Sequence, residues 1–106
     1  MVRIVALHGM PDDSDEFLSY YREVHTPIVQ RIPGVKSIRF GRVIRMADDS
    51  PAPYFLVSDT YFESMEDLEA ALESNEMQEA LEDVPNFASG GVTIMFCETE
   101  DHAPVG

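Results

Sequence analysis

Tyr54-Phe55-Leu56-Val57-Ser58-Asp59-Thr60-Tyr61-Phe62 reads as a β-strand with apolar residues in both alternating sets. Tyr54, Leu56, Ser58, Thr60 and Phe62 point one way, and Phe55, Val57, Asp59 and Tyr61 point the other. A strand apolar on both faces belongs to a sheet covered on both sides. Immediately downstream, Ser64-Met65-Glu66-Asp67 has the spacing of a capping box and opens a helix carrying Leu68, Ala71 and Leu72. A break at Ser74-Asn75 starts further helical turns with Met77, Ala80, Leu81 and Val84. The loop from Pro85 to Gly91 then leads into a last strand, Val92 to Thr99, again apolar on both faces: Val92, Ile94 and Phe96 against Thr93, Met95 and Cys97.

Upstream, the loop 47–53, with Asp48, Asp49, Ser50, Pro51 and Pro53, separates this strand from another over residues 35–46. Before the turn Ile32-Pro33-Gly34 lies a helix started by Asp13 with Glu16 three residues on. Phe17, Tyr21, Val24 and Ile28 form its buried stripe. Pro27 lacks a backbone donor, so this helix is expected to kink near His25. Residues 2–8 form the first strand. The order strand, helix, strand, strand, helix, strand is that of an α+β, ferredoxin-like βαββαβ sandwich: a four-stranded antiparallel sheet with its helices on one face. The uncovered apolar face predicts a homodimer through the open sheet face. Residues 1–100 form one domain and 101–106 a flexible tail.

The chain has 106 residues, 20 Asp and Glu against 7 Lys and Arg, and a formal net charge of −13. That balance argues against nucleic acid and anionic membranes as partners. An acid-rich chain with Lys36 as its only lysine fits either a solubilising surface or life at high salt. No apolar run approaches the roughly 20 residues of a membrane span, and the N-terminus reads as lacking a secretory signal. One cysteine, Cys97, excludes an intrachain disulfide and fits a cytoplasmic location.

Several segments resemble the EthD family of dimeric α+β barrels: Tyr20-Tyr21 with His25-Thr26-Pro27-Ile28, then Pro33-Gly34-Val35, then Asp59 to Ser64 leading into Leu68 to Leu72, and Pro85-Asn86-Phe87-Ala88-Ser89-Gly90-Gly91-Val92-Thr93. The resemblance implies a sheet-to-sheet dimer with a pocket associated with each sheet. Members of the family have been linked with the breakdown of ethyl tert-butyl ether, and related barrels include muconolactone isomerases and polyketide cyclases or dehydratases. Other barrels of this kind degrade haem or oxidise polyketides using a tryptophan, and this chain has none.

His25, beside the Pro27 break, is the candidate acid/base for chemistry next to a carbonyl, against the plainer reading of a histidine that fixes the kink. Asp59 and Tyr61 share a strand face, where a carboxylate can orient a histidine and a phenol can donate to an enolate. Family members often carry the longer Glu at the Asp59 position. Tyr21 and Phe87 are candidates for the wall of a ligand pocket, and Arg39 is read as a surface or interface residue. His8, His25 and His102 lack metal-site spacing and no nucleotide fingerprint follows the first strand, so neither metal nor cofactor is expected. Two functions remain open: a cofactor-free isomerase, cyclase or dehydratase for a small apolar carbonyl or lactone, and a non-catalytic protein that binds a small apolar ligand.

Overall fold

The computed structural model describes residues 1–102, so the part of the expected tail at 103–106 lies outside the described residues. The chain runs through β1 (Val2–His8), α1 (Ser14–Tyr20), a π-helical turn (Tyr21–His25), α2 (Thr26–Gln30), β2 (Val35–Arg42), β3 (Leu56–Phe62), α3 (Met65–Leu72), α4 (Asn75–Asp83), a 3₁₀ turn (Val84–Asn86) and β4 (Val92–Glu98). The four strands form one sheet in the order β2-β3-β1-β4, with every neighbouring pair antiparallel. This is the ferredoxin-like arrangement that the element order implies.

Short side chains start the helices. Glu16 N–H donates to Asp13 Oδ1 at 3.0 Å, Asp67 N–H to Ser64 Oγ at 3.2 Å and Met77 N–H to Ser74 Oγ at 3.1 Å. Each bond satisfies a donor that the first helical turn leaves free. The expected kink takes the form of the π turn. Thr26 N–H reaches back five residues to Tyr21 O, and the Thr26 hydroxyl donates to the same oxygen at 2.7 Å. One extra residue in the turn changes which side chain faces inward. His25 is therefore buried, and Val24, expected on the buried stripe, is 40% exposed.

β2 ends at Arg42 rather than at residue 46. One further bond, Val43 N–H to Phe55 O, continues the pairing before β3 runs out at the Pro51 and Pro53 loop, and Ile44 lies exposed.

The register assigns the two faces. Val2, Ile4, Ala6 and His8 of β1 lie opposite Phe62, Thr60, Ser58 and Leu56 of β3, and the buried members of this set mark the helix-covered face. Two clusters of buried apolar side chains fill the space beneath the helices. One contains Val2, Ile32, Phe62, Leu68, Ala71, Met77 and Ala80; the other contains Phe17, Leu18, Tyr21, Phe55, Leu56 and Phe87. Between them the sheet presents Ala6 beside Ser58 and Ile4 beside Thr60. The small side chains at this point leave room that two leucines would have filled.

The loop before β4 is pressed against the end of β1. Gly9 N–H donates to Gly91 O at 3.0 Å, and a Cβ on Gly90 would stand 2.3 Å from Met10 O and 2.6 Å from Gly9 C. No side chain fits between two backbones this close. Gly90→Ala is expected to destabilise the fold by about 1–3 kcal/mol, read as a lower denaturation midpoint. A variant as stable as the parent would show that the two segments separate readily.

Candidate active site

A cavity of about 70 Å³ lies between the helices and the covered face of the sheet, where the small side chains leave space. It is lined by Ile4, Ala6, His8, Tyr21, His25, Val29, Ile32, Ser58, Thr60, Met77, Ala80, Leu81, Val84, Val92 and Ile94, with no Asp, Glu, Lys or Arg among them. Its polar equipment is two imidazoles, one phenol and two hydroxyls.

His25 is held from behind. Its Nδ1 lies 2.9 Å from Asp83 Oδ2, and both side chains are almost fully buried. Asp83 also accepts from Tyr20 OH at 2.5 Å and from Asn86 Nδ2 at 3.0 Å. Burial pushes the Asp83 carboxyl up, but its hydrogen bonds with Tyr20, Asn86 and His25 outweigh it and leave the group below the ordinary carboxylate range. Asp83 is therefore an acceptor at neutral pH, so His25 Nδ1 carries the proton and Nε2 keeps its lone pair. Burial also lowers His25, a shift that Asp83 only partly offsets. The ring at rest is a neutral imidazole held in one tautomer.

His8, at the end of β1, is 2% exposed and sits among Phe17, Tyr21 and Phe87, with ring centroids 5.4, 5.6 and 5.7 Å away. Burial, and secondarily the nearby His25, push its pKa down to about 4. Its Nδ1 is buried without a hydrogen-bond partner. Phe87 also packs against His25 at 4.6 Å, and Tyr21 lies 5.3 Å from the same ring.

These shifts make the fold sensitive to acid. Below the ordinary histidine pKa of 6.5 the unfolded chain takes a proton on His8 that the folded chain refuses until about pH 4. Stability therefore falls as pH drops through that window, by roughly 3 kcal/mol for His8 alone. Denaturant titrations at pH 7 and pH 4.5 check this; His8→Phe should flatten the difference, and an unchanged slope in that variant would contradict the assignment.

The structure thus brings His25 and Tyr21 together at the cavity, places Phe87 against the His25 ring but outside the cavity lining where it was expected, and places Asp59 and Tyr61 elsewhere. Asp59 and Tyr61 lie on the open face of the sheet, opposite the side that carries His25. Arg3 Nε lies 3.0 Å from Asp59 Oδ1, close enough for an ion pair though not aligned as a hydrogen bond, and Arg39 faces Asp59 from β2. The carboxylate that orients His25 is Asp83. Neither Asp83 nor His8 stood out in the sequence, although helical spacing sets Asp83 on the side of Met77 and Ala80, and strand parity sets His8 with Val2 and Ile4.

A wider cleft of about 200 Å³ lies on the far side of Phe17 and Phe87, rimmed by Asp12, Asp13 and Glu16 and separate from both histidines. Among the described residues no three His, Cys, Asp or Glu side chains are grouped as a metal site would require. No helix among them is long and apolar enough to cross a membrane.

Comparison with known proteins agrees with this architecture. The chain is 38% identical over 104 residues to an uncharacterised 11.0 kDa protein from the thcB-thcC intergenic region of Rhodococcus erythropolis, covering 98% of this chain and 100% of the relative. Among solved structures, an EthD family protein from Bacillus halodurans superimposes with a TM-score of 0.86 at 26% identity, covering 94% of this chain and 99% of the other. A dimeric ferredoxin-like protein of unknown function from Thermobifida fusca shares the fold, with a TM-score of 0.67 at 13% identity over 92% of this chain and 90% of its own. The model of the EthD domain matches residues 11–91, which include the π turn, His25, Asp83 and Phe87. With the family match spanning all four helices and strands β2 and β3, and a relative 38% identical over nearly the whole chain, the chain belongs to the EthD domain family.

Proposed function

We propose that the cavity carries out proton transfer at a carbon next to the carbonyl of a small apolar ketone or lactone, as a cofactor-free isomerase, cyclase or dehydratase does. The observation that carries this reading is the His25–Asp83 pair at the cavity wall. A buried neutral imidazole, fixed in one tautomer by a carboxylate, is a base whose conjugate acid is stabilised as it forms. Tyr21 and Phe87 hold the ring in place. The second reading, a binder of small apolar ligands without chemistry, is favoured by the mostly aliphatic lining and differs only in that no proton moves.

Incubation of the protein with butanone or γ-butyrolactone in D₂O separates the two. Catalysis predicts α-proton exchange faster than with the same concentration of free imidazole. Saturable binding with exchange at the imidazole rate would replace the enzyme by the binder.

The same proposal includes a twofold dimer. The open face of the sheet presents Leu7, Val57, Tyr61, Met95 and Cys97 around the buried Val5, an apolar surface with the Arg3 and Asp59 pair beside it. Burying such a face against a second copy is the simplest way to cover it, and the likeness to a dimeric ferredoxin-like protein supports this. Native mass spectrometry is expected to show twice 11.9 kDa. A persistent monomer would contradict the dimer.

A further inference from the structure

We propose that His8 is a second catalytic residue of the cavity, donating Nε2–H to the oxygen of an uncharged carbonyl compound while His25 takes the proton from the adjoining carbon. The inference rests on the proton-transfer reading above and adds to it a second residue and a charge class for the ligand.

His8 lines the cavity at the end of β1, yet its Nδ1 is sealed away from every hydrogen-bond partner. A buried donor without an acceptor is rarer than a buried lone pair without a donor, so the proton of the neutral ring belongs on Nε2. Nε2 is not among the buried atoms that lack partners, and the cavity is the space that His8 borders. The two imidazoles therefore present opposite faces to a ligand: a donor on His8 and a lone pair on His25. Packing among three aromatic rings does not by itself account for a histidine here, because a phenylalanine would fill that place without an orphaned nitrogen.

Charge and size narrow the ligand. No cationic side chain lines the cavity, and the chain carries a formal net charge of −13, so a carboxylate or phosphate entering it would lose its hydration with no positive charge to replace it. A volume of about 70 Å³ holds only the reacting end of a molecule, roughly three heavy atoms. An uncharged ketone, aldehyde or lactone carbonyl satisfies both limits. In the reaction, the C–H electron pair becomes a C=C bond, the carbonyl π pair moves onto oxygen beside His8 Nε2–H, and the proton resides on His25 Nε2 with Asp83 as counter-ion. Return of the proton to the same carbon completes an exchange, and in a β,γ-unsaturated carbonyl compound its delivery to the γ-carbon completes an isomerisation, with no oxidant or second substrate.

Histidine-labelled protein titrated with butanone, and separately with propanoate, tests this alongside butanone exchange in D₂O. Butanone is expected to move the His8 Nε2 resonance and propanoate to leave it in place. His8→Phe should slow exchange about 100-fold, and His8→Gln, which keeps an N–H donor, should recover about tenfold of that. Exchange at the parental rate in His8→Phe, with His25→Ala inactive, would overturn the role of His8 and leave the proton-transfer reading standing. A butanone shift at His8 without any exchange in the parent would uphold the donor and overturn proton transfer. A response to propanoate equal to that to butanone, or no response to butanone, would overturn the ligand class.

Discussion

His25→Ala is expected to slow α-proton exchange by about 10²–10⁴-fold while leaving the fold intact, because it removes the only cavity nitrogen whose lone pair is held in place by a buried carboxylate. Asp83→Asn tests the same arrangement from behind. The amide keeps the shape and can still accept from Tyr20, but it no longer opposes the burial that lowers His25. The His25 pKa should fall further in Asp83→Asn, so the acid limb of the pH–rate profile should move to lower pH while the maximal rate drops. A purely structural Asp83 would change the stability and leave the midpoint of that limb where it was. Measuring exchange from pH 4.5 to 8 in the parent and both variants distinguishes these outcomes.

Phe62→Ala is expected to destabilise the protein by about 3–5 kcal/mol. Phe62 is fully buried, faces Val2 across β1 and β3, and sits in the cluster with Ile32, Leu68 and Ala71. Its removal leaves a void walled by sheet backbone on one side and helices on the other, neither of which can collapse easily into it. The expected result is a lower denaturant midpoint at an unchanged slope. Because Phe62 itself does not line the cavity that holds His25, the folded fraction should retain its exchange rate. A loss below 1 kcal/mol would mean that the helices settle onto the sheet more freely than the packing indicates.

Features governed by local chemistry were legible in the sequence. Asp13, Ser64 and Ser74 mark helix starts because their side chains bond to amides three residues away. The order of elements then follows, and with it the sheet. Pro27 signals a break near His25, but whether a break becomes a kink or a π turn depends on how Tyr21 and His25 pack against the sheet; Val24 and His25 exchange places with that choice. In β3 the alternation is plain, yet both faces are apolar enough to be the covered one, so parity alone does not tell whether Ser58 and Thr60 or Asp59 and Tyr61 meet the helices. Asp83 is 58 residues from His25, and a pairing over that distance is set by how α4 docks, which no local pattern encodes. His8 sits in an apolar run and reads as part of a strand until the rings around it are in place.

Asp83 holds His25 as a neutral imidazole with its proton on Nδ1 and its lone pair on the cavity. Long-range ¹H–¹⁵N correlation spectra of histidine-labelled protein read tautomer and charge directly. At pH 7 His25 is expected to be neutral and protonated on Nδ1, and to titrate below 6.5, with Asp83→Asn lowering its midpoint further. A His25 protonated on Nε2, or one titrating above 6.5, would contradict it.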